Sequence, residues 1–232
     1  MLLEIIIAVL ALLIASFLLN FYRDPKRIIP IGNNIVSPAD GRVIGIIDTS
    51  EIAREIKFSA LTQNRRAVSE RAQKSMIFDT SIDEIEVSKG MVGKIRAMTK
   101  DISKECYVIS IFMSPLDVHI NRAPIEGTIK SIQHTKGKFF KAYDLKKSFE
   151  NEKNEIIIEN KNIKVKVIQI AGFLARRIIC GVKVNQKVDK GQKIGMIALG
   201  SQATVIMPKK VNMKIKLNDK LKAGQSIIAE LE

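Results

Sequence analysis

The N-terminal region of the chain is its most hydrophobic part, with an uncharged apolar run from Ile5 to Leu19. Residues 1–22 carry one charge, Glu4, and a basic cluster follows at Arg23, Lys26 and Arg27. A bilayer core takes roughly 20 residues of helix, so the pattern predicts a membrane-anchor helix over residues 1–22. Positive residues after the span place the body on the cytoplasmic side. A helix lying in one leaflet stays open as an alternative, whereas a signal peptide would carry positive charge before the run.

After residue 22 the pattern changes to short apolar segments punctuated by glycine and proline, which is typical of a mainly β protein. Four segments predict strands, at residues 42–47, 106–112, 155–159 and 162–170. In the last segment Ile163, Val165 and Val167 alternate with lysines at 164 and 166, which are expected to face solvent. Residues 50–75 are polar and without a clear period, and they predict a surface loop with one short helix. We therefore expect a mainly β (minor α+β) fold, with a single β-rich domain over residues 23–232.

Two stretches toward the C-terminal end repeat one pattern, VNQKVDKGQKIGMI at residues 184–197 and LNDKLKAGQSIIAE at residues 217–230. Asn, Lys, Gly, Gln and Ile recur at an offset of 33 residues, which predicts two similar strand-turn-strand units. The pattern resembles the hammerhead units of biotinyl and lipoyl carrier domains, which have barrel-sandwich folds. Such carriers present a modified Lys in a tight turn. The Met213-Lys214 pair lies too close to the second unit for this arrangement, which argues against a carrier role. A non-enzymatic, membrane-anchored adaptor with hammerhead modules stays open as an alternative function.

Composition adds a strong positive charge to this picture. The chain has 38 Lys and Arg against 24 Asp and Glu, a formal net charge of +14, which favours an anionic partner such as nucleic acid or a membrane surface. No Trp, 5% aromatic residues and no Cys/His finger spacing argue against nucleic acid. The sequence also contains no metal-ligand cluster and no nucleotide-binding glycine loop. Cys106 and Cys180 lie among apolar residues and are expected to be buried free thiols.

Three segments contain the residue types that carry chemistry. Gly200-Ser201 separates two apolar runs in GMIALGSQATVIMP, and in isolation it would be a turn. Asp40 precedes a glycine in VSPADGRV, where an Asp also suits a tight turn for structural reasons alone. His119, one of two histidines in the chain, lies in IFMSPLDVHINRAPIEG.

Together these segments resemble the phosphatidylserine decarboxylase family, whose members are made as proenzymes and carry a pyruvoyl group. The matching stretches are FYRDPKR, SPADGRV, FMSPLDVHINRAP, GKFFKAY, ENEKNEIIIEN, QIAGFLARRIICGV and LGS. The short chain and the VHINRAP wording are similar to the compact branch of the family, which includes enzymes acting on archaetidylserine. The resemblance implies cleavage between Gly200 and Ser201, giving a β chain of residues 1–200 and an α chain of residues 201–232.

The resemblance also implies roles for these residues. Ser201 would attack the Gly200 carbonyl and become the covalent pyruvoyl cofactor, which forms a Schiff base with the amine of a serine phospholipid and accepts the electrons left by carbon dioxide. Gly200 has no Cβ, so its carbonyl is open to attack. His119 would deprotonate the Ser201 hydroxyl, with Asp40 orienting the imidazole, and would later supply a proton to the product.

One position departs from the longer bacterial enzymes of the family, which carry a second histidine three residues after the first. Arg122 stands there, so either His119 serves both steps or another group replaces the missing one. His134 is the spare imidazole, although it also suits a surface turn. The arginines at 122, 176 and 177 would bind the lipid phosphate or simply face solvent. The expected partners are the serine phospholipid, the membrane and a second copy in a homodimer, with lipid tails either acyl or isoprenoid.

Overall fold

The structure is a computed structural model that describes residues 1–51, 98–137, 150–172, 177–198 and 201–231. These residues form one long helix, α1 (Leu2–Phe21), and a series of mostly short strands. The strands are β1 (Asn34–Val36), β2 (Gly41–Asp48), β3 (Cys106–Met113), β4 (Ile120–Arg122), β5 (Gly127–Thr135), β6 (Lys153–Glu159), β7 (Lys164–Ile170), β8 (Ile178–Cys180), β9 (Lys187–Val188), β10 (Lys193–Ile197), β11 (Ser201–Pro208), β12 (Val211–Met213), β13 (Lys220–Leu221) and β14 (Ile227–Leu231). The predicted mainly β fold with one apolar N-terminal helix is confirmed.

Helix α1 forms because its 20 residues are nearly all apolar and include neither proline nor glycine. Its side chains are exposed along most of its length, and Phe21 is the one buried residue of this fully described helix. The helix is long and apolar enough to cross a membrane. The helix predicted over residues 1–22 is therefore present, and its apolar surface is not covered by the described residues of the body.

An eight-stranded antiparallel sheet forms the body, in the order β13-β2-β3-β11-β7-β6-β5-β9. Strand β11 lies inside this sheet, between β3 and β7. Ala203 and Val205 belong to the main hydrophobic core, whereas Ile206 packs into a smaller core on the opposite face. Both faces of β11 are buried, and the polar side chains of Gln202 and Thr204 bond to each other at 2.9 Å.

The four strands predicted from the sequence are present as β2, β3, β6 and β7. The expectation that both lysines of β7 face solvent is wrong, because Lys166 is 1% exposed. Its ammonium group donates to the Met98 carbonyl at 2.8 Å and to the Glu155 carboxylate at 3.1 Å. The smaller core covers this face of the sheet, and the paired carboxylate offsets the cost of burying the charge.

The two predicted strand-turn-strand units are β9 with β10 and β13 with β14. Their turns match residue by residue, with φ of 67° at Asn185 and 71° at Asn218, then 79° at Gly191 and 75° at Gly224. Asn and Gly are the residues that best tolerate this left-handed region. The repeat is therefore confirmed. Strand β10 also pairs with β4 and β8, and β14 pairs with β1 and β12, so each unit anchors a small three-stranded sheet.

The two cysteines are free but differ in burial. Cys106 is buried in the smaller core, and burial raises the pKa of its thiol to about 11. The expectation that Cys180 is also buried is wrong, because it is exposed on β8, an outer strand of its small sheet. The loop predicted at residues 50–75 lies almost entirely within residues 52–97, outside the described residues.

Candidate active site

Ser201 is the first residue of β11 and is fully buried. The register of the sheet places it opposite Met113, the last residue of β3, and its hydroxyl lies 3.8 Å from the Met113 sulfur. A thioether is a weak hydrogen-bond acceptor, so this contact leaves the hydroxyl oxygen able to act as a nucleophile. Gly200, the other half of the predicted cleavage site, lies outside the described residues.

The loop between β3 and β4 carries His119 toward the same end of the sheet. Its turn is closed by Asp117, whose carboxylate accepts from the Ser114 N–H at 2.8 Å and whose N–H donates to the Ser114 carbonyl at 2.9 Å. The His119 carbonyl then accepts from the Ile197 N–H at 3.2 Å. Because Ile197 ends β10 shortly before Ser201, the structure brings His119 and Ser201 to the same region.

The His119 imidazole is fully buried and is oriented by its own loop. Its Nδ1 lies 2.9 Å from the Asp117 carbonyl oxygen. A carbonyl can only accept, so Nδ1 carries the proton and the neutral ring presents a lone pair at Nε2. Nε2 has no hydrogen-bond partner among the described residues. Burial lowers the pKa of His119, against an opposing effect of the Asp117 carbonyl, so at neutral pH the ring is a base with an unshared lone pair.

Asp40 lies in the predicted Asp-Gly turn before β2, and its carboxylate is bound by groups other than His119. One guanidinium nitrogen of Arg27 donates to both carboxylate oxygens at 2.9 Å, and the Ala223 N–H donates to Oδ1 at 2.8 Å. The Arg27 side chain is 6% exposed, so the pair is nearly buried. The hydrogen bond that orients the His119 ring is made with Asp117. The orienting role of Asp40 stays a prediction.

Arg122 is held by the protein itself. Its Nη1 donates to the Gly191 carbonyl at 3.0 Å, and its Nη2 pairs with the Asp24 carboxylate. One partner lies in the turn after β9, and the other lies just after α1. In this structure Arg122 therefore joins the segment after α1 to the body.

Of the remaining predicted residues, His134 is separated from Ser201 by two strands. His134 lies on β5, which is separated from β11 by β7 and β6 in the sheet, and it pairs with Glu152 at 3.4 Å. Adjacent strands are about 4.8 Å apart, so β5 and β11 are about 14 Å apart when the distance is measured along the sheet. Arg177 is exposed, and Arg176 lies outside the described residues. The catalytic role of His134 and the phosphate-binding roles of Arg176 and Arg177 stay predictions.

A buried amide network beside Ser201 was missed at the level of the sequence. Asn121, on β4, donates to the Met113 sulfur at 3.8 Å, and its amide oxygen accepts from Gln169 at 2.9 Å. Gln169 in turn accepts from Asn154 at 2.9 Å. These amides are at most 2% exposed, so the network fixes the Met113 wall of the site. The signal in the sequence was one amide residue, Asn or Gln, on each of the three strands β4, β6 and β7.

A buried serine hydroxyl and a neutral buried histidine lie at one end of the sheet, and these are the groups that nucleophilic catalysis in a β-rich enzyme requires. The part of the chain that the structure describes places no group of three or more His, Cys, Asp or Glu side chains where it could hold a metal ion.

Comparison with known proteins identifies the family. The family model described as phosphatidylserine decarboxylase matches residues 14–229. A protein of Methanocaldococcus jannaschii, provisionally named an archaetidylserine decarboxylase proenzyme, is 42% identical over 96% of this chain and 93% of its own length. Proteins named phosphatidylserine decarboxylase proenzyme from Chlorobium phaeovibrioides and Prosthecochloris aestuarii are 36% and 33% identical, over 93% and 99% of this chain and 77% and 84% of their own lengths. The chain therefore belongs to the phosphatidylserine decarboxylase family of enzymes, as its motifs predicted.

Proposed function

We propose that this chain cleaves itself between Gly200 and Ser201 and then decarboxylates a serine phospholipid to the ethanolamine phospholipid with a pyruvoyl group derived from Ser201. The observation that carries the proposal is the position of Ser201, whose buried hydroxyl begins β11 at the sheet end that His119 also occupies. The match to a family of decarboxylases gives independent support. The products would be a β chain of residues 1–200 and an α chain of residues 201–232.

His119 is the base for this cleavage. Its Nε2 lone pair accepts the proton of the Ser201 hydroxyl while the Ser201 oxygen bonds to the Gly200 carbonyl carbon. The peptide C–N bond breaks as the proton passes to nitrogen, and the amide becomes an ester. Removal of the Ser201 Cα proton then expels the Gly200 carboxylate, and hydrolysis releases ammonia and leaves the pyruvoyl group. Burial favours the first step, because a dry site keeps the imidazole neutral.

The residues around Ser201 fit the group that the proposal requires. A pyruvoyl group keeps the three carbon atoms of serine, so it needs no more room than the buried side chain that Met113 already faces. When formed, its carbonyl supplies the electron sink for decarboxylation. His119 would hold the proton that returns to the product carbon. The charge of Asp40 acts on this imidazole through space and favours its protonated form.

Relatives named for phosphatidylserine and archaetidylserine share one chemical feature, a serine head group on a lipid phosphate. We assign the same class of substrate to this chain. Helix α1 would anchor the enzyme in the membrane that contains this lipid. The basic residues that follow the helix favour the cytoplasmic side for the body, residues 23–232.

The intact masses of the protein purified from cells test the proposal. Wild type should give two fragments, and the smaller should start at position 201 with a pyruvoyl group in place of serine. Ser201→Ala should give one full-length chain without decarboxylase activity. Ser110→Ala is the matched control, because Ser110 is also buried but its hydroxyl faces Thr204, at 3.2 Å. A folded wild-type chain that stays whole and unmodified would overturn the proposal and favour a non-enzymatic adaptor.

A further inference from the structure

The end of α1 and the segment after it contact three of the candidate residues, His119, Arg122 and Asp40. The Phe21 ring packs against the His119 imidazole with centroids 4.4 Å apart and planes inclined by 38°. Further along, Asp24 pairs with Arg122, and Arg27 holds Asp40. The end of the apolar helix and the first residues after it are therefore built into the candidate active site rather than serving as a loose linker.

Phe21 is the most tightly placed of these contacts. Its side chain is 2% exposed, in contrast to the exposed residues before it on α1. The neighbouring Arg23 fixes the helix end to the His119 loop, because its guanidinium donates to the Leu116 carbonyl at 2.8 Å and to the Asn20 carbonyl at 2.6 Å. These two hydrogen bonds of Arg23 hold the end of α1 against the His119 loop, and so they keep the Phe21 ring on the imidazole.

The ring has a direct physical effect on the imidazole beneath it. Burial lowers the pKa of His119, and Phe21 supplies part of the cover that excludes water from this ring. Three charged groups also act on the imidazole. Asp117 and Asp40 favour its protonated form, whereas Arg23 opposes it. Removing the aromatic cover would let water reach the imidazole and stabilise its charged form.

We propose that Phe21 is a positioning residue of the active site, which keeps His119 dry, neutral and fixed in orientation, so that the apolar helix forms one wall of the site. This inference rests on the proposed role of His119 as a base. It adds a function for α1 besides membrane anchoring, because the last residue of the helix sets the protonation state of a group in the body.

Full-length Phe21→Ala, Phe21→Leu and Leu19→Ala test the inference. Leu19 is the matched control, since it lies on the same helix two positions earlier and is 78% exposed. The first measurement is the rate of self-cleavage against pH. In Phe21→Ala the acid side of this profile should move to higher pH, and cleavage on that side should slow about threefold or more. Phe21→Leu should restore most of the rate, and Leu19→Ala should match wild type.

The second measurement does not depend on activity. In uncleaved Ser201→Ala protein, the two histidines can be followed by NMR during a pH titration and assigned with His134→Gln. The His119 signal should titrate at higher pH when Phe21 is alanine. An unchanged His119 titration would overturn the inference, as would slower cleavage at every pH without a shift of the acid side. If wild type is never cleaved, the proposed function fails, and the NMR titration still decides the role of Phe21.

Discussion

At the scale of single residues, the site is defined by what the His119 loop supplies. Asp117 fixes the tautomer with its carbonyl and closes the turn with its carboxylate, so one residue both shapes the loop and orients the base. The buried Nε2, which has no partner among the described residues, would be costly in a purely structural histidine. That cost is expected where a lone pair must remain available for proton transfer.

The same burial predicts a pH dependence of stability. The folded-state pKa of His119 lies below its unfolded value of about 6.5, so the unfolded chain binds more protons in this range. Stability should therefore fall as the pH drops below about 6.5. Urea unfolding of Ser201→Ala protein in mild detergent, at pH about 5 and about 7.5, should show this loss. His119→Gln should reduce it and His134→Gln should not, and an undiminished loss in His119→Gln would contradict the prediction.

The resemblance to a family singled out Ser201, His119 and Asp40, and the roles of these three residues stay predictions. The sequence could not show which group touches which. The Asp40 carboxylate binds Arg27 and does not bond to the imidazole. Arg27 reaches Asp40 because the segment after α1 runs against the body at this point. Phe21 lies within the anchor helix predicted over residues 1–22, and only the fold places its ring on His119.

At the scale of elements, the turn before β2 is fixed by a close contact between backbones. Gly41 has φ of 137°, and a Cβ at this position would overlap the carbonyl oxygen of Phe112 on β3. Only glycine therefore allows β2 to pair with β3 while Asp40 reaches Arg27 and Ala223. The strand pairing and the carboxylate position depend on the same residue.

Gly41→Ala should destabilise the protein by at least about 2 kcal/mol and slow self-cleavage, because backbone atoms cannot yield as a flexible side chain can. Gly181→Ala is the control, since its Cβ would meet no atom closer than 3.4 Å and its φ is ordinary. Urea unfolding in the Ser201→Ala background and cleavage of the otherwise native chain would measure both effects. Equal stability of the two alanine variants would show that the β2 turn adapts.

Strands whose residues are mostly buried were the elements that the sequence predicted best. Strands β2, β3, β6 and β7 were found from apolar composition, and the two hammerhead turns from Asn and Gly at fixed offsets. The prediction that the Lys166 face of β7 is exposed was wrong, because the alternation of residues along one strand does not show that a second core covers its polar face. The predicted burial of Cys180 was wrong for the opposite reason, since the apolar run around this residue forms the short outer strand β8, which leaves the thiol exposed.

At the scale of the whole molecule, the apolar helix and the basic body form one unit rather than a domain on a tether. Three successive contacts, through Phe21, Asp24 and Arg27, hold the end of α1 against the body. If α1 lies in a membrane, these contacts keep the candidate site close to the bilayer surface, where the head groups of lipids are found. The proposed substrate class therefore agrees with the architecture as well as with the site.

The side of the membrane that holds the body can be tested with the cysteines of the native chain. Cys180 is exposed, whereas Cys106 is buried with its pKa raised to about 11. A maleimide that cannot cross membranes should therefore modify Cys180 alone, because the thiolate is the reactive form. With the body in the cytoplasm, intact cells should give unlabelled protein, and cells opened before labelling should give a single modification that Cys180→Ser removes. Labelling in intact cells would place the body outside and would contradict the orientation predicted from the basic residues after α1.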